Sequence, residues 1–275
     1  MNGFLLIVFC YIKKYFEIAK VTFKAQLAYR FDLAMGILLS ICRIILSFIL
    51  WSALFTGKST LGGFSFNMMI TYYIIISFFS KLDTSEFIVS QLSDEIKHGK
   101  FSKYIVQPVK PLWYFIFSNF AKTAFIFFIS GAATIAFALI FNRYLSFKAN
   151  LSIVLLALCV NILGLIFLTF LNYFIAILSF KFCDISSFNI IKNNVFEFIT
   201  GTFIPLSLFP MLVQSIMKLF PFYYIYYYPS SMILTGDKTG LLSAVAILIF
   251  WIVFMFVTIK ITYKTLRKEY EGVGI

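Results

Sequence analysis

Long apolar runs alternate with short polar breaks along this chain. Residues 4–28 mix apolar positions with Lys13, Lys14, Lys20 and Lys24, and Tyr15, Ile18, Thr22 and Ala25 recur at helical spacing. That pattern predicts an amphipathic helix lying at a membrane interface. Six further runs approach the ~20 residues that a spanning helix needs. They cover about 33–55, 67–89, 111–141, 151–180, 187–205 and 241–261. The segment 206–228 is apolar too, but Pro210 and Pro221 break it, with Pro205 before it and Pro229 after it. Its pieces are too short to span and too apolar for water. Short helices that dip into one leaflet and return suit it, from Pro205 through Pro210, Pro221, Phe222 and Pro229 to Gly236. The expected architecture is an all-α integral membrane protein, a single transmembrane domain over 1–275.

The longest strongly polar stretch between two apolar runs is Ser93 to Pro111. Asp94 and Glu95 after Ser93 suit a helix start, and Lys97 and His98 before Gly99 suit a helix stop. Phe101, Tyr104 and Ile105 then share one face, with Lys100 and Lys103 beside them, until Pro108 and Pro111 close the piece. Pro111 also fits the first turn of the next helix. The stretch reads equally as a cationic hinge that a soluble partner grips and as a solvated loop that only sets topology.

Composition places the chain in lipid. Charged residues make up 12% and hydrophobic residues 61%, whereas a soluble domain carries about 25% charged residues. The net charge of +12 does not point to nucleic acid, because the basic residues cluster at the ends of apolar runs. Arg43, Lys81 and Lys122 fall inside spans. Of the other basic residues, Lys58, Arg143, Lys148, Lys218 and Lys238 fall on one side, and fifteen fall on the side of the termini and the 93–111 stretch. The positive-inside rule then makes both termini and that stretch cytoplasmic, in a multi-pass protein of the cytoplasmic (inner) membrane. Cys10, Cys42, Cys159 and Cys183 lie in or beside apolar runs without metal-type spacing and read as packing residues. The first twelve residues lack the positive leader of a signal peptide.

Candidate chemistry is sparse. Gly57-Lys58-Ser59-Thr60 resembles the end of a phosphate-binding loop, but Ser52 stands where the motif needs its first Gly, so no nucleotide site is expected. His98 is the sole histidine, which excludes His-based metal clusters. Arg43 and Lys122 each lie about ten residues, or roughly 15 Å, into a span. Charges there need partners or water. Asp83 and Glu86 are the expected partners. Asn119, Asn161 and Asn172 either line a cavity or bond between helices. Phe222, Tyr223, Tyr224, Tyr226, Tyr227 and Tyr228 form a dense cluster that reads as an interfacial belt.

Taken in order, several of these pieces resemble the integral membrane permeases of ABC-2 type exporters. The carrying residues are Ala28-Tyr29-Arg30 after the Lys-rich helix, Met69-Ile-Thr-Tyr-Tyr73, Asp94-Glu-Ile-Lys-His-Gly99 and Tyr104-Ile-Val-Gln-Pro-Val-Lys-Pro111. Ile204-Pro-Leu-Ser-Leu-Phe-Pro210, Leu219-Phe-Pro-Phe222, Tyr228-Pro229 and Leu234-Thr-Gly236 complete the set. The resemblance implies six spans, a cytoplasmic coupling helix between spans two and three, and re-entrant outer helices between spans five and six. By position, Asp94, Glu95, Lys97, Gly99, Phe101 and Tyr104 would form the ATPase-coupling surface. It implies a bacterial exporter subunit with no cofactor of its own, since ATP and Mg would sit on separate ABC ATPase subunits. A second permease, identical or related, would complete the assembly. An amphipathic or hydrophobic peptide, drug or lipid would suit the outer aromatic cluster and an apolar lining. The competing reading is an ion-coupled secondary transporter or a polytopic membrane enzyme. The cationic midplane and the lack of a visible inverted repeat speak against it.

Overall fold

The computed structural model describes residues 2–28, 30–107, 109–142, 145–146, 148–182 and 184–270. Tyr29, Pro108, Arg143 and Cys183, on which parts of the expectations above rest, lie outside them. Among the described residues the chain is helical without strands, and an isolated bridge joins Leu61 to Phe64. The helices are α1 (Asn2–Gln26), α2 (Arg30–Leu54), α3 (Phe66–Lys81), α4 (Glu86–Lys97), α5 (Ser102–Val106) and α6 (Pro111–Ile140). They continue with α7 (Leu151–Ile177), α8 (Ser186–Ile199), α9 (Met211–Met217), α10 (Phe222–Ile225), α11 (Tyr227–Thr235) and α12 (Leu241–Leu266).

Four helices are long and apolar enough to cross a membrane: Met35–Leu54 in α2, α6, the run Leu151–Phe180 from α7 into a closing 3-10 turn, and α12. The other two expected spans divide differently. The run 67–89 is not one helix, because α3 stops at Lys81 and α4 starts at Glu86. The run 187–205 holds only the 14 residues of α8 before the chain leaves helical geometry. The signal for the first break lies in Asp83, Thr84 and Ser85, whose short polar side chains compete with the helix for backbone groups. Ser93, expected to start a helix, is in the middle of α4, where its hydroxyl donates to Val89 O at 2.6 Å. Pro111 occupies the first turn of α6 as expected.

The bundle is built around α7, which packs against α12, α4, α11 and α10. The amphipathic α1 does not rest apart at an interface. Tyr15 stacks on Phe117 at 5.5 Å and Phe23 meets Phe125 edge-on at 5.2 Å. The register advances equally on both helices, so α1 follows the first half of α6 lengthwise. The helices α4 and α5 mark one end of the bundle, the hinge end. The turns between α2 and α3 and between α11 and α12 mark the far end.

After α8 the chain winds through the far half. The prolines punctuate this path. Pro205 precedes a 3-10 turn, Pro210 precedes α9, Pro221 precedes α10, and Pro229 falls in the first turn of α11. Leu208 lies against Gly62 at the far end. Leu219 O then accepts from Trp251 Nε1 at 3.2 Å, and Phe222 meets Phe167 at 5.8 Å, well inside the bundle. The chain returns to the far end at Gly236, whose φ of 74° caps α11 beside Lys148 O.

Non-helical backbone at this depth needs donors from elsewhere. Tyr72 donates its hydroxyl to Gly201 O at 2.7 Å, and Tyr73 donates to Phe203 O at 2.8 Å. Ile225 O would look to the N–H four residues on, but that residue is Pro229. Asn161 Nδ2, fully buried on α7, supplies the bond at 2.9 Å. The tyrosine cluster is accordingly not an interfacial belt. Tyr224, Tyr226, Tyr227 and Tyr228 are each at most 8% exposed and pack in the core around α7 and α3. Their hydroxyls serve the fold, as when Tyr224 donates to Lys218 O and Tyr228 to Thr239 O, both at 2.9 Å.

Replacing Asn161 by Leu keeps the bulk and strands the Ile225 carbonyl. The expected cost is about 1–3 kcal/mol, seen as a lower thermal unfolding midpoint in detergent. An unchanged midpoint would mean that another donor serves this carbonyl.

Candidate functional site

A polar layer crosses the bundle where α3 breaks. Asp83 Oδ1 accepts the N–H and the hydroxyl of Ser85 at 2.9 and 2.6 Å. This closes a local turn just ahead of α4. Asn172 of α7 donates to the Ser85 hydroxyl and accepts from Lys192 of α8 at 2.7 Å. Thr84 donates to Asn119 of α6, which donates to Thr169 of α7, both at 2.8 Å. Thr123 of α6 donates to Leu82 O at 3.1 Å. Two sets of side chains, meeting at consecutive residues 83–85, thus tie the junction between α3 and α4 to α6, α7 and α8. Asn119, Asn161 and Asn172 all bond between segments, and Asn172 also faces the cavity described below.

The depth of this layer follows from helix length. At ~1.5 Å per residue, α6 extends about 27 Å from Lys122 to Ile140, and α7 extends about 32 Å from Asn172 back to Leu151. Both match a hydrocarbon thickness of ~30 Å. Lys122 therefore lies at the hinge-side end of an apolar stretch of α6 that is itself of membrane length. Arg43 is the deeper charge, about 16 Å of helix from Leu54.

The two cations are not paired as expected. Arg43 Nη2 donates to Glu197 Oε1 of α8 at 3.0 Å, so neither Asp83 nor Glu86 is its partner. Asp83 is occupied by Ser85 and lies within 3.4 Å of the Tyr226 hydroxyl. Lys122 has no carboxylate within ion-pair distance among the described residues. Its ammonium lies 3.3 Å from the centroid of the Phe87 ring, a cation–π contact. Glu197 is marked in sequence only as a polar residue of its run, and nothing local joins it to Arg43.

Arg43, Asp83, Glu86 and Lys122 nevertheless line one cavity of about 1720 Å³, together with Lys81, Lys192 and Glu197. Its walls come from the end of α1 and from α2, α3, α6, α7, α8 and the 200–208 segment. α2 and α8 face each other across it and form a seam. There α8 buries none of its residues, and among the described residues the Arg43–Glu197 pair is the one ion pair across the gap.

The second feature is the hinge formed by α4, the turn at Gly99 and α5. Gly99 has a φ of 70°, which favours glycine and stops α4. Beyond it, Phe101 is fully buried in an aromatic cage. Its ring meets Tyr104 at 5.4 Å, Phe180 at 5.0 Å, Tyr263 at 6.4 Å and Tyr270 at 5.5 Å. Tyr270 also clasps the turn. Its hydroxyl donates to Gly99 O at 2.6 Å and accepts from Ser102 N at 3.1 Å. No sequence pattern pointed to Tyr270, which follows the charged end of α12.

The expected coupling residues therefore split into two faces. Glu95, Phe101 and Tyr104 point inward, so they are not surface contacts. Glu95 is 7% exposed and bound to Lys103 at 2.6 Å. Burial, and then the neighbouring Glu95 carboxylate, push the Tyr104 hydroxyl well above the usual tyrosine range, so it stays neutral. Asp94 and Lys97 face outward on α4 with Lys100 and His98, and His98 Nδ1 lies 2.9 Å from Asp94 Oδ1. Pro205, Pro210, Pro221, Phe222, Pro229 and Gly236 shape the far-half path and stand away from this surface.

A helical bundle with membrane-length helices, a large side-opening cavity and a rigid elbow at one end belongs to the class of polytopic membrane proteins. A family model described as ABC-2 family transporter protein matches residues 41–274, and the chain belongs to that family. It is a membrane permease component of ABC transport, and permeases of this family work with ABC ATPases. No curated protein and no solved structure matches the chain.

Two measurements probe these sites. Arg43→Gln and Glu197→Gln should each lower thermal stability, and the double variant should recover on the order of 1 kcal/mol relative to additivity. Strict additivity would mean that the pair does not hold the seam. Tyr270→Phe keeps the ring in the cage and removes the clasp. Amide exchange at Ser102 should then rise about five- to tenfold, on the order of 1 kcal/mol. Unchanged exchange at Ser102 would show that the hydroxyl does not restrain the turn.

Proposed function

We propose that this chain moves an amphipathic or hydrophobic substrate out of the cytoplasm, driven by a separate ATPase that docks on the hinge. The observation that carries this reading is the elbow itself. It has an outer face of exposed charge and an inner face locked by Phe101 into the end of α7, α12 and Tyr270. A push on the outer face reaches several helices at once, which a solvated loop could not do. The hinge and both termini are cytoplasmic on this reading, in keeping with the distribution of Lys and Arg. The short α3 and α8 complete a six-span topology together with the four long helices, and α9 to α11 form the re-entrant outer pair. A second permease, identical or related, closes the seam between α2 and α8. ATP-driven closure of the paired ATPases then shifts the cavity between two packings, exposing it to either side in turn.

The outward face supplies the test. Asp94→Lys and, separately, Lys97→Glu reverse exposed charges without touching the buried cage. Each should weaken co-purification of the ATPase by about tenfold in affinity, roughly 1.4 kcal/mol, and lower permease-stimulated ATP hydrolysis. Thermal stability of the permease should hold. Full binding and full stimulation in both variants would remove the hinge as the docking site. Glu95→Lys and Tyr104→Ala are unsuitable for this purpose, since they would disrupt buried packing.

A further inference from the structure

We propose that the cavity binds an amphiphile with an anionic head, held by Lys81 and Lys122 at the hinge-side rim, with its apolar chain lying along α2. The proposal rests on the permease reading and names the substrate class of that same cavity.

The charges inside the cavity do not balance in place. Three carboxylates line it: Asp83, Glu86 and Glu197. Glu197 is held by Arg43, and Asp83 is held by the N–H and hydroxyl of Ser85. Glu86 is the remaining acid, and Lys192, held by Asn172, is the nearest match for it in the layer. Three lining lysines, Lys58, Lys81 and Lys122, are left over, with no carboxylate within ion-pair distance among the described residues. Lys58 is exposed in the far-end turn after α2, while Lys81 and Lys122 stand at the charged layer. Both of the latter lie against a neighbouring element. Lys122 lies over Phe87. Lys81 reaches toward α2 at Gly36, where a Cβ would come within 2.7 Å of its Nζ, so glycine makes the room that the ammonium uses. Unpaired cations at the edge of an apolar slab are costly, and an incoming anion relieves that cost.

The rest of the lining calls for a chain. Toward the far end the wall is mainly apolar, with Leu46, Leu50, Leu54, Leu168, Phe203 and Leu208, and Lys58 stands at its far rim. The volume of about 1720 Å³ exceeds the ~300–1,000 Å³ of ordinary small-ligand sites. The cavity also opens sideways along α2, where Leu39, Leu46 and Leu50 are all more than half exposed. A molecule resident in the bilayer can enter there with its head at the charged layer and its chain still among apolar groups.

Trp51 lines the cavity and provides the readout. The permease carrying Trp113→Phe and Trp251→Phe, in phosphatidylcholine nanodiscs, is titrated with dodecyl phosphate, dodecylphosphocholine and inorganic phosphate. Dodecyl phosphate should half-saturate the Trp51 signal at about tenfold lower concentration than dodecylphosphocholine. In Lys81→Gln with Lys122→Gln that ratio should fall to about one, while Lys238→Gln at the exposed far-end turn should leave it unchanged. A ratio near one in the parent protein, or a ratio that survives the double variant, overturns the proposal. So does saturation by inorganic phosphate alone, which would mark a site for free anions, or silence of both amphiphiles. No ATPase is present in this assay. Failure here therefore leaves the permease reading to the hinge variants, and failure of those variants leaves this binding result intact.

Discussion

A polar group inside an apolar slab must find a partner, and in this protein α7 provides several of them. Three of its side chains, Asn161, Thr169 and Asn172, fall on neighbouring parts of one helix face. Each is assigned to a place where another helix breaks. Asn161 serves the carbonyl that Pro229 leaves without a donor. Thr169 and Asn172 reach the α3–α4 junction through Asn119 and Ser85. The breaks in turn make the cavity, because α3 stops and α8 is short where the charged layer sits. Had α7 been uniformly apolar, the interrupted helices around it would carry unpaired groups at a cost of several kcal/mol each.

Much of this plan is legible in the sequence. Gly99 as a stop, Pro111 at a helix start and the prolines of the far half were readable because they act on their own backbone. The long apolar runs were readable because length and composition alone mark them. What escaped depends on contacts remote in sequence. Arg43 and Glu197 are joined only when α2 meets α8. The tyrosine cluster has the composition of an interfacial belt, and only the return of the chain through α10 and α11 turns it into core. The break at Asp83 was open to local reasoning, but the apolar run on either side masked the turn that Asp83 and Ser85 form.

The hinge shows how a short polar segment becomes stiff. A loop with exposed charges on every side would move freely between the helices it connects. Here one face is drawn inward by Phe101, Tyr104 and Glu95, and the other keeps its charges in water. The cage around Phe101 gathers rings from α5, from the turn closing α7, from α12 and from Tyr270, four residues beyond it. Parts of the chain far apart in sequence therefore meet at one ring, and displacement of that ring is felt by all of them.

The shortness of α3 bears on how the chain enters the bilayer during synthesis. With 16 residues, α3 is shorter than the ~20 that a spanning helix needs. The residues that satisfy its hinge-side break lie on α6 and α7, and the carbonyls that accept from Tyr72 and Tyr73 come later still, after α8. On leaving the ribosome, α3 has none of these partners. Its final seat is set only once α7 and the segment after α8 have been made, so the first half of the protein must wait for the second before its structure is complete.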